Sequence, residues 1–187
     1  MYTDAVCAII ETAKELNIPK RQVITNGYFS KNADMIREVA RNLSECGVND
    51  LLLSMDAFHQ ETIPLEIVKM FAAEAKKCGI PIRLSPAWLV SVTDDNPYNR
   101  KTREIIDSFA HMEIDVGEGN VIFPEGNALK YLAEYFTDEH PENPYAEDPC
   151  DVRCVSFEPN GDVLGGNVYR NDIMEIIKNY APWWRKI

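Results

Sequence analysis

The sequence predicts an α/β fold, a partial (βα) barrel of about four parallel strands, followed by a small β-hairpin and a helix. Three observations predict it. Short apolar runs of strand length alternate with stretches whose apolar residues recur at helical spacing. The runs are apolar throughout, as in strands buried on both faces of a parallel sheet. Glycine or proline stands at most of the junctions.

Taken in order, Val6, Ile9, Ile10, Ala13 and Leu16 fall at helical spacing and the pattern fades before Pro19, so the sequence opens on an amphipathic helix. Gln22 to Thr25 is a short apolar run that ends at Asn26-Gly27, a strand followed by a sharp exit. Met35, Ile36, Val39, Ala40 and Leu43 form a second helical stripe, closed by Gly47, and Leu51 to Ser54 a second strand. Pro64 suits a first helical turn for Ile67, Val68, Phe71, Ala72 and Ala75, with Gly79 as the stop and Ile80 to Leu84 as the third strand.

Pro86 to Asn99 reads as a long connection, functional or a lid, before Arg103 to Phe109 resumes a helical pattern. Val121 to Phe123 is the fourth strand and Ala128, Leu129, Leu132 and Phe136 a further helix. Residues 137 to 149 turn to Asp, Glu, Pro and Asn, a linker or acidic loop. Beyond it, Val155 to Glu158 and Val163-Leu164 read as a hairpin turning at Asn160-Gly161, and Ile173 to Tyr180 as a last helix. Two domains are expected, residues 1–136 and 137–187.

With 187 residues, 45% of them hydrophobic, the chain has enough apolar side chain for one sizeable core. A net charge of −11 offers no basic face to polyanions, so neither nucleic acid nor an anionic membrane is expected as a partner. Without a leader-like or membrane-spanning apolar stretch, and with five cysteines, an odd number, a cytoplasmic protein with reduced thiols is expected.

In parallel α/β barrels the chemistry sits at the C-terminal ends of the strands. Here these ends carry Thr25-Asn26, Ser54 with Asp56, Arg83 with Ser85, and Glu125-Gly-Asn127. Asp56, His59 and Glu61 bring two acids and an imidazole into one loop, open to reading as the centre of a metal-dependent hydrolase or lyase. Plainer roles stand beside these: Thr25-Asn26-Gly27 as a turn, Ser54 and Asp56 as helix caps, His59 as a solvent-facing histidine. Glu118 and Glu125 flank the fourth strand as paired or merely solvated carboxylates. Cys150 and Cys154 are the only close cysteine pair, two soft ligands where a cluster or zinc needs about four.

The strand sequences Val23-Ile-Thr-Asn-Gly27, Leu52-Leu-Ser-Met-Asp56, Ile82-Arg-Leu-Ser85 and Asn120-Val-Ile-Phe123 resemble, in order, the third to sixth strands of the radical S-adenosylmethionine superfamily. The resemblance implies half of that barrel, with S-adenosylmethionine and a four-iron, four-sulfur cluster as cofactors. It would place Thr25 and Asn26 near the methionine part or substrate, Ser54 and Asp56 near the ribose, Arg83 and Ser85 near cofactor or substrate, and Val121 and Ile122 beside the adenine. The family's Cys-x-x-x-Cys-x-x-Cys motif and Gly-Gly-Glu-Pro-like turn are both absent from this sequence. The resemblance therefore implies a fragment truncated before the cluster ligands and inactive as it stands, or a non-catalytic binding or assembly module on the same fold. Cys150, Cys154, Phe157 to Val163 and Gly166-Asn-Val168 resemble a degenerate form of the family's auxiliary-cluster tail. Loss of earlier strands would leave an open edge inviting self-association. Substrate and reaction are not legible.

Overall fold

A computed structural model describes residues 3–136 and 155–180, and the chain divides into two compact units, Met1–Pro141 and Glu142–Ile187. The first unit is α/β. Its strands β1 (Gln22–Thr25), β2 (Asp50–Ser54), β3 (Ile82–Ser85) and β5 (Asp115–Val116) pair in parallel in the order β1-β2-β3-β5. Beyond Pro86, β4 (Ala87–Leu89) pairs in parallel with β6 (Asn120–Ile122). The helices are α1 (Thr3–Glu15), α2 (Ala33–Cys46), the one-turn α3 (Ala57–Gln60), α4 (Leu65–Lys77), α5 (Pro97–Asp107) and α6 (Asn127–Tyr131).

The core lies on one face of the sheet. Leu51, Leu53 and Leu84 point into a cluster with Ile36, Val39 and Leu43 of α2, Val68, Phe71 and Ala72 of α4, Ile10 of α1 and Ile105 of α5. Because strand side chains alternate, the register assigns the opposite face to Gln22 and Asp50, to the row Ile24, Leu52, Arg83 and Asp115, and to the adjacent pair Ser54 and Ser85. No residue of that second set belongs to the core cluster. The expectation of strands buried on both faces is thus corrected: among the described residues helices cover one face, and Ile24 on the other is 62% exposed.

The ends of the helices follow capping chemistry. Asn32 accepts from Asp34 and Met35 N–H at the start of α2, and Gly47 ends that helix in the left-handed conformation. Asn96 caps α5, with Pro97 in its first turn.

The expected loop over Pro86–Asn99 contains both β4 and the first turn of α5. Pro86 hid this strand, since proline removes a ladder donor. The fourth strand likewise begins before Val121. Leu84 stands opposite Val116 and Ala87 opposite Asn120, so the second strand of the pair holds one residue more, a bulge at Gly117–Gly119. Gly117 N–H donates to Leu84 O and Asn120 N–H to Pro86 O. Gly119 has φ +76, and a Cβ there would collide with the Pro86 carbonyl oxygen. The helix expected over Ala128–Phe136 is broken into α6 and a 3₁₀ turn, Ala133–Tyr135.

In the second unit, β7 (Asp162–Val163) and β8 (Gly166–Asn167) form the hairpin, and α7 (Ile173–Asn179) follows. The hairpin turns at Leu164-Gly165, both at positive φ as a two-residue type I′ loop requires, not at Asn160-Gly161. Among the described residues no helix is long and apolar enough to cross a membrane. Residues 137–154, including Cys150 and Cys154, lie outside the described residues.

Replacing Gly119 with Ala adds a left-handed strain and a backbone collision, and is expected to cost at least about 2 kcal/mol. A denaturant midpoint equal to that of the wild type would show the bulge to be non-essential.

Candidate functional site

The C-terminal ends of β2 and β3 meet at one level, with Ser54 opposite Ser85 on the uncovered face. Just past Ser54, Asp56 is fully buried and fully engaged. Its Oδ1 accepts from Phe58 and His59 N–H, both at 3.0 Å, and so caps α3. Its Oδ2 accepts from Ala87 N–H at 3.0 Å and lies 2.8 Å from His59 Nδ1. With those positions filled and no solvent access, Asp56 positions other groups and offers nothing to a ligand.

His59 takes the opposite part. The hydrogen bond to Asp56 raises its pKa, and partial burial only opposes this. With its side chain 35% exposed and Nδ1 held, the imidazole leaves Nε2 as its outward nitrogen, the arrangement of an aspartate-oriented acid–base group.

Thr25 and Asn26 form a turn: Gly27 N–H donates to Thr25 Oγ1 and Tyr28 N–H to Asn26 Oδ1. Thr25 is level with Leu53, which puts it on the helix-covered side and away from Ser54 and Ser85. Gly27 is the required residue there, since its φ is +71 and a Cβ would press on Leu53 and Phe71. Arg83 is on the uncovered face but is drawn toward the start of the sheet, donating Nη2 to Asp50 Oδ1 at 2.8 Å and Oδ2 at 3.0 Å. Burial would push the Asp50 pKa up, but the bonds from Arg83, Lys20 and Gln22 outweigh it and hold the carboxyl at about 2. Glu118 and Glu125 are exposed.

Val121 stands opposite Trp88, and Ile122 opposite Leu89. Ile122 lines a cleft of about 410 Å³ with Phe58, Tyr98, Tyr131 and Leu132, while Glu61 is its charged member. Phe58 stacks on Tyr98 at 4.7 Å and 9°, and Tyr135 meets Tyr98 edge-on at 5.7 Å. Sequence reasoning missed this aromatic cluster. Phe58 lay within a string already singled out, but nothing in the spacing of Tyr98 and Tyr135 ties them to it.

Among the described residues no three His, Cys, Asp or Glu side chains converge as metal ligands, so Asp56, His59 and Glu61 are not a ligand set. Cys7, Cys46 and Cys78 belong to the helix layer on α1, the end of α2 and the cap of α4. Burial and the neighbouring Cys46 thiol push Cys7 up to about 11, which keeps it protonated and a poor ligand at neutral pH. These cysteines do not fit an iron–sulfur cluster. No family model matches the chain, and no curated protein matches it significantly.

Two titrations test the electrostatics. His59 is expected to titrate above the ordinary histidine value of about 6.5. A raised folded-state value means that the Asp56–His59 bond contributes fully below that ordinary value and fades as pH rises through the folded one. An NMR midpoint at or below the ordinary value would contradict the pairing. Asp50 contributes in the other direction, above about 3.9 and lost as pH falls through its depressed value. Arg83→Gln should therefore move acid unfolding to higher pH, and an unchanged midpoint would show the ion pair to be idle.

Proposed function

We propose that the first unit is part of a radical S-adenosylmethionine-type barrel, the part that cradles the cofactor's nucleoside, and that the described residues do not hold the cluster. The observation that carries this reading is the face of the parallel sheet that no helix covers among the described residues, polar where the strands end. A sheet face meant for a second helix layer would be apolar; here Gln22, Asp50, Arg83, Asp115, Ser54 and Ser85 would lose their hydration under such a layer. They are suited to lining a wet cavity.

The chemistry of that face also selects its ligand. Asp50 is paired with both Arg83 and Lys20, and with Asp115 on the same face the charges balance, so the face suits a ligand that carries charges of both signs, such as a sulfonium amino acid. The Ser54 and Ser85 hydroxyls, each able to donate and accept, suit a ribose diol. The cleft at Ile122, walled by Phe58 and Tyr98, offers a planar base an apolar and aromatic surface. S-adenosylmethionine, when bound, would supply the adenosyl and methionine groups. The chain's own contribution is to orient them and, through His59, to hold a proton near the strand ends.

Equilibrium dialysis of the chain with S-adenosylmethionine is expected to show saturable binding. Tyr98→Ala should weaken it about tenfold, and joint Ser54→Ala and Ser85→Ala by about the same factor. No binding, or an affinity untouched by these variants, would overturn the assignment.

A further inference from the structure

Two cysteines on neighbouring helices of the first unit take no part in the site at the strand ends. Cys7 lies on α1 and Cys46 at the end of α2, and the two helices pack together. Cys7 Sγ donates to the carbonyl oxygen of Asn42 at 3.8 Å, and Cys46 Sγ to that of Leu43 at 3.3 Å. These carbonyls are consecutive in α2, and the Asn42 oxygen is the acceptor that an α-helix assigns to the N–H of Cys46 itself. Cys7 Sγ therefore sits against the residue that carries the second thiol, and the two thiols are within hydrogen-bonding reach of each other. Cys46 is 2% exposed and belongs to the core cluster, while Cys7 is half-buried and packs against it.

From this geometry we infer that Cys7 and Cys46 are a site of reversible disulfide formation, oxidised by a low-molecular-weight disulfide and joining α1 to α2. Cys7, the more accessible thiol, loses its proton and attacks one sulfur of the small disulfide, which releases one small thiolate. Cys46, deprotonated in turn, attacks Cys7 Sγ and releases the second. Two electrons leave the protein thiols, and their two protons pass to the released thiolates, so one protein disulfide and two small thiols result.

The position of Cys46 makes the second step intramolecular, since the resolving thiol already stands beside the mixed disulfide. Burial, the Cys46 thiol and the carboxylates of Glu11 and Asp4 push Cys7 up to about 11. A thiolate disfavoured in this way gives the reduced pair none of the stabilisation that makes a disulfide easy to reduce. The bond would close a loop from residue 7 to residue 46, through β1 and α2, and so restrict the unfolded chain. The inference concerns these two helices and does not rest on the cofactor reading.

The folded chain, incubated with excess oxidised glutathione at about pH 9, where the Cys7 thiolate is less scarce, provides the test. Alkylation, digestion without reduction and mass spectrometry then locate the bonds. The expected product is a Cys7–Cys46 bridge that dithiothreitol reverses and that raises the thermal midpoint on the order of ten degrees. Cys7→Ser should leave Cys46 unbridged, and Cys46→Ala should stop at a glutathione adduct on Cys7, with far-UV circular dichroism establishing that both variants are folded. In the treated wild type, free thiols at both positions, a lasting glutathione adduct on Cys7 or a bridge from either residue to another cysteine overturns the inference. A Cys7–Cys46 bridge that fails to raise the midpoint overturns it as well, because the folded geometry would then resist the bond.

Discussion

The buried carboxylate of Asp56 holds together the pieces on which the rest of the first unit is arranged. It lies at the exit of β2, caps the short α3, orients His59 and reaches 31 residues along the chain to the N–H of Ala87. Burying a carboxylate costs several kcal/mol unless donors surround it, and here four hydrogen bonds do. Remove the acceptor and the N–H groups of Phe58, His59 and Ala87 are left without their partner in an enclosed space. The start of β4 is thereby tied to the end of β2.

That tie explains why the third strand continues past a proline. Pro86 cannot donate, so the ladder loses a bond where β3 becomes β4; Asp56 supplies an acceptor to the next N–H, and the Pro86 carbonyl is used by Asn120. The neighbouring strand answers with its bulge at Gly117–Gly119, which lets the backbones approach at Pro86. Past β4 the chain is held by a second buried polar group. Asn99 accepts from Leu89 N–H and donates to the carbonyls of Leu89, Ser91 and Asp94. This network fixes Val90 at φ +69, a left-handed conformation rare for a β-branched residue, with Ser91 N–H donating back to Leu89 O. Strain at a strand end is tolerated because the surrounding bonds over-determine it.

These features mark where sequence reasoning reaches its limit. Helices α2 and α4 were legible because their apolar stripes agree with the glycines that follow them, Gly47 and Gly79, and with Pro64 before α4, and β1 and β2 because they are short apolar runs between helical stripes. β4 was not, since a proline argues against a central strand and its compensation comes from Asp56, distant in sequence. In the hairpin Asn160-Gly161 is the stronger local turn signal, and Gly161 does adopt φ +86, yet the ladder closes around Leu164-Gly165. At the site, Asp56 and His59 were recognised as a pair of chemical groups, but their division of labour depends on burial. A fully enclosed acid that orients a partly exposed imidazole looks the same in sequence as two ligands on a loop. By sequence position Arg83 belongs with the strand-end residues. Its side chain runs the other way because Asp50 lies within reach.

The uncovered face is therefore the feature from which function has to be argued. Its alternation was concealed in β2, where Leu51, Leu52 and Leu53 are equally apolar although Leu52 belongs to the opposite face from its neighbours. Only the register across β1, β3 and β5 shows Leu52 sharing a row with Ile24, Arg83 and Asp115. A row containing a guanidinium and a carboxylate cannot be dried under an apolar helix without stranding charge, and a row containing isoleucine and leucine gains nothing from remaining in open water. A partly hydrated, partly apolar interior satisfies both demands.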